Sequence, residues 1–231
     1  MRLGLIGDVH AEDERLLVAL QALTKERVDR ILCSGNIVDG RGDVDRTCAL
    51  LAAHHVTTVR GNHDRWIRDD EQRSVPNAHR MTGLAPASID VLKSLPPTVT
   101  IDLPDGGKLL LCHGVGSNDL RKVGPDDGRH AISTNDDLLK LLFDPSIAIM
   151  VGGHTRRPMV KRFERGAGKA ALLVVNAGTL VRSESPGFAI LDVGARKVEF
   201  REIDEHLTVL PSSRAMLSGS VSRTWCAIAA P

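Results

Sequence analysis

Five short apolar runs in the first two thirds of the chain each end on small or polar residues. Residues 2–6 run into Gly7-Asp8-Val9-His10, and residues 30–33 into Ser34-Gly35-Asn36-Ile37-Val38-Asp39. Residues 57–60 run into Gly61-Asn62-His63-Asp64, residues 109–112 into His113-Gly114, and residues 147–151 into Gly152-Gly153-His154-Thr155. Short apolar runs bounded by glycine read as buried strands. Residues 12–27 set Leu16, Leu17, Leu20 and Leu23 on one helical face. That stretch has acidic residues in its first turn and Lys25 and Arg27 in its last, as a helix dipole favours. Residues 43–54 repeat the pattern with Val44, Cys48 and Leu51. The opening is therefore β-α-β-α-β, with right-handed crossovers.

The rhythm then breaks. Residues 65–81 are polar, charged and aperiodic, and read as a loop rimming whatever lies at the third strand end, with Trp66 either a rim aromatic or packed beneath. Residues 88–95 read as a helix stopped by Pro96-Pro97. Residues 98–102 and 108–112 flank Pro104-Asp105-Gly106-Gly107 as a β-hairpin. A second polar loop spans 114–129, and Thr134 with Asp137 makes a capping box for a helix through Phe143 that Asp144-Pro145 stops. Strands follow at 158–163, 171–176, 187–193 and 197–203. The pattern predicts an α/β fold of two mixed β-sheets packed face to face with helices outside, a four-layer αββα sandwich. Its domain would run over residues 1–205, with a tail, 206–231, wrapping the surface.

Composition narrows the class. The 231 residues suffice for one well-buried domain, and the formal net charge is +1. No basic run advertises a nucleic-acid track, and no apolar stretch reaches the roughly 18 residues of a membrane span. Strand residues start almost at Met1, where a signal peptide would have to be. The four cysteines, Cys33, Cys48, Cys112 and Cys226, show no Cys-x-x-Cys spacing. The expectation is a reduced, cytoplasmic protein.

In sheets of this kind, ligands gather just beyond the carboxyl ends of the strands. Five strand ends would deliver Asp8, His10, Asn36, Asn62, His113 and His154 to one crevice. Carboxylate and amide oxygens beside imidazole nitrogens suit a hard-to-borderline divalent cation.

The ordered blocks Asp8-x-His10, Gly35-Asn36-x-x-Asp39, Gly61-Asn62-His63-Asp64, His113-Gly114 and Gly153-His154-x-Arg156 resemble the signature of the calcineurin-like metallophosphoesterases. The likeness spans residues 7–155, with two departures: Asn36 stands where the family has Asp, and Arg156 where many members have a last His. The resemblance implies the αββα sandwich and one or two divalent ions per chain (Mn²⁺, Fe²⁺/³⁺, Zn²⁺ or Ni²⁺). One ion would lie on Asp8, His10 and Asn36, the other on Asn36, Asn62, His113 and His154. His63 would protonate the leaving oxygen, and Asp39 would orient that imidazole and raise its pKa. Arg156 and Asn62 would contact the substrate phosphate. The stretch Asn176-Ala177-Gly178-Thr179 resembles the far wall of the family's site.

The function implied is hydrolysis of a small phosphodiester or phosphomonoester by a hydroxide generated on the metal. The alternative is a degenerate relative that binds a phosphate or nucleotide without efficient hydrolysis. A lost bridging charge favours that alternative: at an effective dielectric near 20, one unit charge at 4 Å is worth roughly 4 kcal/mol, so Asn36 weakens the second ion.

Overall fold

The computed structural model describes residues 1–216. Its first half alternates as the sequence predicts: β1 (Arg2–Ile6), α1 (Asp13–Lys25), β2 (Arg30–Cys33), α2 (Val44–Ala53) and β3 (Thr57–Thr58). β1, β2 and β3 are parallel. The next elements are α3 (Asn62–Arg68), α4 (Pro86–Ser94), the antiparallel hairpin β4 (Thr98–Asp102) and β5 (Lys108–Cys112), α5 (Arg129–Ser133) and α6 (Asp136–Phe143). The chain then forms β6 (Ile147–Gly152), β7 (Met159–Phe163), β8 (Leu172–Asn176), β9 (Gly187–Asp192), β10 (Lys197–Ile203) and β11 (Val209–Met216).

Two mixed sheets result, in the orders β11-β10-β9-β1-β2-β3 and β4-β5-β6-β8-β7. Strand alternation assigns each side chain to a layer. Leu3 and Leu5 of β1 join Leu109 and Leu111 of β5 in the core between the sheets. Ile6 of β1 faces outward among Leu16, Leu20 and Leu23 of α1 and Cys48 and Leu51 of α2. Leu110 and Cys112 of β5 face the other way, towards Leu138 of α6. Helices therefore cover both outer faces, which is the four-layer αββα sandwich.

Three local expectations are corrected. Residues 65–81 are not loop throughout, because α3 already begins at Asn62. The aperiodic composition hid it: seven residues show too few turns for a period, and its start is held by Asp64 rather than by an apolar face. The cap of α6 is Asn135, whose side chain accepts from the Leu138 amide at 3.1 Å. Thr134 instead closes α5, its hydroxyl donating to the His130 carbonyl at 3.0 Å.

The tail does not begin as surface wrapping. Val209–Met216 pairs antiparallel with β10 as an edge strand, where Pro211, lacking an amide donor, is tolerated. Residues 217–231, the rest of the segment expected to wrap the surface, lie outside the described residues, as does Cys226. Cys33, Cys48 and Cys112 are free and buried, and burial pushes each thiol up to about 12. Among the described residues, no helix is long and apolar enough to cross a membrane.

Candidate active site

The crevice lies where the carboxyl ends of β1, β2 and β3 meet those of β5 and β6. All six expected ligand residues converge there, and Asp8, His10, Asn36, Asn62 and His113 are almost fully buried. The loops holding them are wound tightly. Asp8, His10, Asn36, Asp39, His154 and Arg156 all have positive φ, between 29° and 64°. For residues other than glycine this costs on the order of 1–3 kcal/mol apiece, so the surroundings must impose it.

Amide bonds between the loops do so. The His10 amide donates to the Asn36 carbonyl and that of Ala11 to the Ile37 carbonyl, each at 2.7 Å. The Gly153 amide donates to the His113 carbonyl, also at 2.7 Å. Asn176 secures the β6 loop through the Gly153 carbonyl (2.7 Å) and the Thr155 hydroxyl (2.9 Å), and the Thr179 hydroxyl donates to the Asp8 carbonyl at 2.9 Å. A side chain at Gly61 would place its Cβ 2.2 Å from Asn36 Oδ1, so only glycine lets these two turns touch.

Asp64 is a residue whose role the sequence reading missed. It is fully buried and accepts from four amides: Gly61 (2.9 Å), Asn36 (2.8 Å), Ile37 (2.7 Å) and Val38 (3.3 Å). Burial pushes its pKa up, while the amide donors pull the other way. The carboxylate thus locks the turn after β2 onto the start of α3. Its spacing three residues after Gly61 was the available signal, that of an acidic group at a helix's first turn.

His63 and Asp39 form a pair, with His63 Nδ1 donating to Asp39 Oδ2 at 2.8 Å. This leaves His63 Nε2 as the nitrogen with no carboxylate partner. Arg73 grips Asp39 bidentately, Nη1 to Oδ1 at 2.9 Å and Nη2 to Oδ2 at 3.0 Å, and the His79 amide adds a bond of 2.9 Å to Oδ1. Burial opposes ionisation of Asp39, yet His63, Arg73 and His79 outweigh it and hold the carboxyl at about 2. Asp39 raises the His63 pKa as expected, but the net shift is downward. Burial lowers it more than Asp39 raises it, and His10 lowers it further. Desolvation of the imidazole is the largest cause. Trp66 packs against the His63 ring, centroids 4.6 Å apart, and His10 meets that ring edge-on at 4.8 Å.

Whether the donor set fits divalent cations is decided by where its lone pairs are spent. At one end, His113 Nδ1 lies 2.7 Å from the Ser34 carbonyl, which can only accept, so Nδ1 carries the proton. In a neutral ring Nε2 then presents a lone pair, and it faces Asn62 Oδ1, another acceptor, at 2.9 Å. His154 Nδ1 adds a third atom 3.3 Å from the same oxygen. Burial lowers the His154 pKa to about 4, which keeps the ring available as a neutral donor. Two ring nitrogens thus converge on one amide oxygen, and a shared divalent ion can take a lone pair from each of the three, so this end fits such an ion.

The other end does not fit. Asn36 Nδ2 donates to Asp8 Oδ1 at 3.0 Å and towards Asn62 Oδ1 at 3.4 Å, while Asn36 Oδ1 accepts from the His63 amide at 3.0 Å. Reversing the amide would set oxygen against oxygen and N–H against N–H, so the network fixes its orientation. Asp8 Oδ2 accepts from the His154 amide at 2.9 Å. His10 Nδ1 donates to the Asp39 carbonyl at 2.9 Å, and its Nε2 takes a bond from Arg156 Nη2, also at 2.9 Å. Arg156 Nη1 is bound to Glu184 at 3.0 Å, so both Nη groups are engaged. Burial disfavours the Asp8 charge, but His10, His113 and Arg156 hold the carboxyl at about 2. Among the described residues, no group of three His, Cys, Asp or Glu side chains forms a cation site by itself. The convergent positions carry amides where a carboxylate would complete such a group.

A fold of two mixed sheets between helices, with this constellation at their shared edge, defines a metallophosphoesterase-like architecture. The chain belongs to the calcineurin-like phosphoesterase superfamily, whose domain model matches residues 1–196. It is similar in fold to a metallophosphoesterase from Sphaerobacter thermophilus (TM-score 0.64, 22% identity, 88% of each chain covered). It is similar also to Yfce, a phosphoesterase from E. coli (TM-score 0.55, 15% identity, 94% of this chain and 100% of that one). A third similar structure is a dimetal phosphatase from Danio rerio (TM-score 0.54, 13% identity, 94% and 99% covered). Nothing among curated protein sequences matches the chain.

Proposed function

We propose that the protein is a metal-dependent phosphoesterase acting on a small phosphodiester or phosphomonoester. The observation that carries this reading is the His63–Asp39 pair set beside the converging atoms of Asn62, His113 and His154. A divalent ion there would polarise the phosphoryl oxygen and lower the pKa of attacking water. The chain's own residues supply the rest. Asn62 and His113 orient the ligand atoms, the second through its bond to the Ser34 carbonyl. His63, held by Asp39 through Nδ1, keeps Nε2 for the leaving oxygen and delivers a proton to it as the ester bond breaks. Arg73 holds Asp39 in position through its two Nη groups.

A metal-supplemented screen of generic phosphodiesters and phosphomonoesters, with metal analysis of the same sample, tests the proposal. Ion-dependent release of alcohol, together with phosphate from a monoester or a phosphomonoester from a diester, is the expected result. One observation favours a second reading, a phosphate or nucleotide binder with little turnover: the self-satisfied Asp8–Asn36–His10–Arg156 end. Saturable phosphate binding without hydrolysis under any tested ion would decide for the binder.

A further inference from the structure

We propose that the chain takes one divalent cation rather than two, on Asn62, His113 and His154, and that the Arg156 guanidinium is the resident cation of the Asp8–His10 end. The inference rests on the metal-dependent reading of this same crevice and specifies its stoichiometry.

The two ends differ in spare lone pairs. Around Asp8 and His10 every acceptor already has a donor: Asn36 Nδ2 and the His154 amide on the two Asp8 oxygens, and Arg156 Nη2 on His10 Nε2. An arriving ion would have to displace three of these bonds. It would also approach a guanidinium that cannot lose its proton. Charge points the same way. Asp8 is the only carboxylate among the six convergent positions, and the Arg156 guanidinium, which Glu184 also pairs with, already stands in its field. Asn36, unlike a carboxylate, offers nothing to offset a dication's extra charge.

The two departures from the motif therefore belong together: an amide at position 36 turns its N–H towards Asp8, and an arginine at position 156 caps His10 in place of an ion. Glu184 fixes the far side of the guanidinium at 3.0 Å, so its position does not depend on a ligand. At the other end His113 Nε2 faces Asn62 Oδ1 at 2.9 Å, and the Asn36 amide reaches that oxygen only at 3.4 Å.

Calorimetric titration of the chelated full-length protein with Mn²⁺, checked by metal analysis after desalting, reads the stoichiometry directly. One ion per chain is expected, lost in His113→Ala and kept in His10→Ala. Restoring both departures, as Asn36→Asp with Arg156→His, should raise it to two, while either change alone leaves it at one. In the first single variant the guanidinium stays on His10, and in the second the amide N–H stays on Asp8. Two ions in the unaltered protein, none at all, or one ion lost in His10→Ala but kept in His113→Ala would each overturn the proposal. If the double variant does not fold, the unaltered protein and the two alanine variants still decide. A protein that binds one ion in this way yet hydrolyses no ester would remove the phosphoesterase reading and leave this one standing.

Discussion

Arg73 and His63 never touch, yet they share one carboxylate: each donates to Asp39 Oδ2, at 3.0 and 2.8 Å. The guanidinium lies 34 residues from Asp39 in sequence and comes from the polar segment after α3. It holds the oxygen that orients the imidazole.

Replacing His63 with Ala should lower kcat by roughly 10²–10⁴-fold on esters with poor leaving groups and far less on nitrophenyl esters, which need little protonation. Equal losses on both classes would remove the proton-donor role.

The pH dependence follows from the lowered His63 pKa. The protonated form is the donor, and its fraction falls as pH rises through a pKa below 6.5. The ratio of rates on poor to good leaving groups should therefore decline with pH, starting below 6.5. Arg73→Met removes the cation opposite the imidazole, so the decline should move to higher pH. kcat on poor leaving groups should meanwhile drop by up to about 10²-fold, the scale of a misplaced catalytic group. An unmoved profile would mean that Arg73 is only structural.

Acid should unfold the chelated protein in two stages. His154 titrates at 6.5 when unfolded and at about 4 when folded, so the unfolded chain binds more protons between those values and stability falls as pH drops from 6.5 to 4. Asp8 contributes stability that is present above 3.8 and lost as pH falls through about 2. Urea midpoints measured from pH 7 to pH 2 give the curve. His154→Gln should flatten its upper part and leave the lower part in place.

Asp64→Ala would leave four buried amides without an acceptor. At about 1–3 kcal/mol for each unsatisfied group, a loss of at least about 3 kcal/mol is expected even after partial relaxation. Urea denaturation measures it, and a change under 1 kcal/mol would show that water replaces the carboxylate.

The sequence determined the architecture and which residues gather in the crevice. Alternation in β1 and β5, the one-sided leucines of α1 and the hairpin at residues 98–112 are local patterns, because a side chain's face is set by its own strand or helix period. Asp8, His10, Asn36, Asn62, His113 and His154 were legible because each sits at the end of an apolar run, where chain direction alone delivers it to the crevice. Tertiary structure decided what those residues do to one another. No local pattern joins Arg73 to Asp39, Asp64 to the β2 turn, or Arg156 to His10 across 146 residues. Such contacts form only when two sheets close face to face, and hydrogen-bond direction, on which the Asn36 amide and the His10 ring both depend, is a property of the closed network.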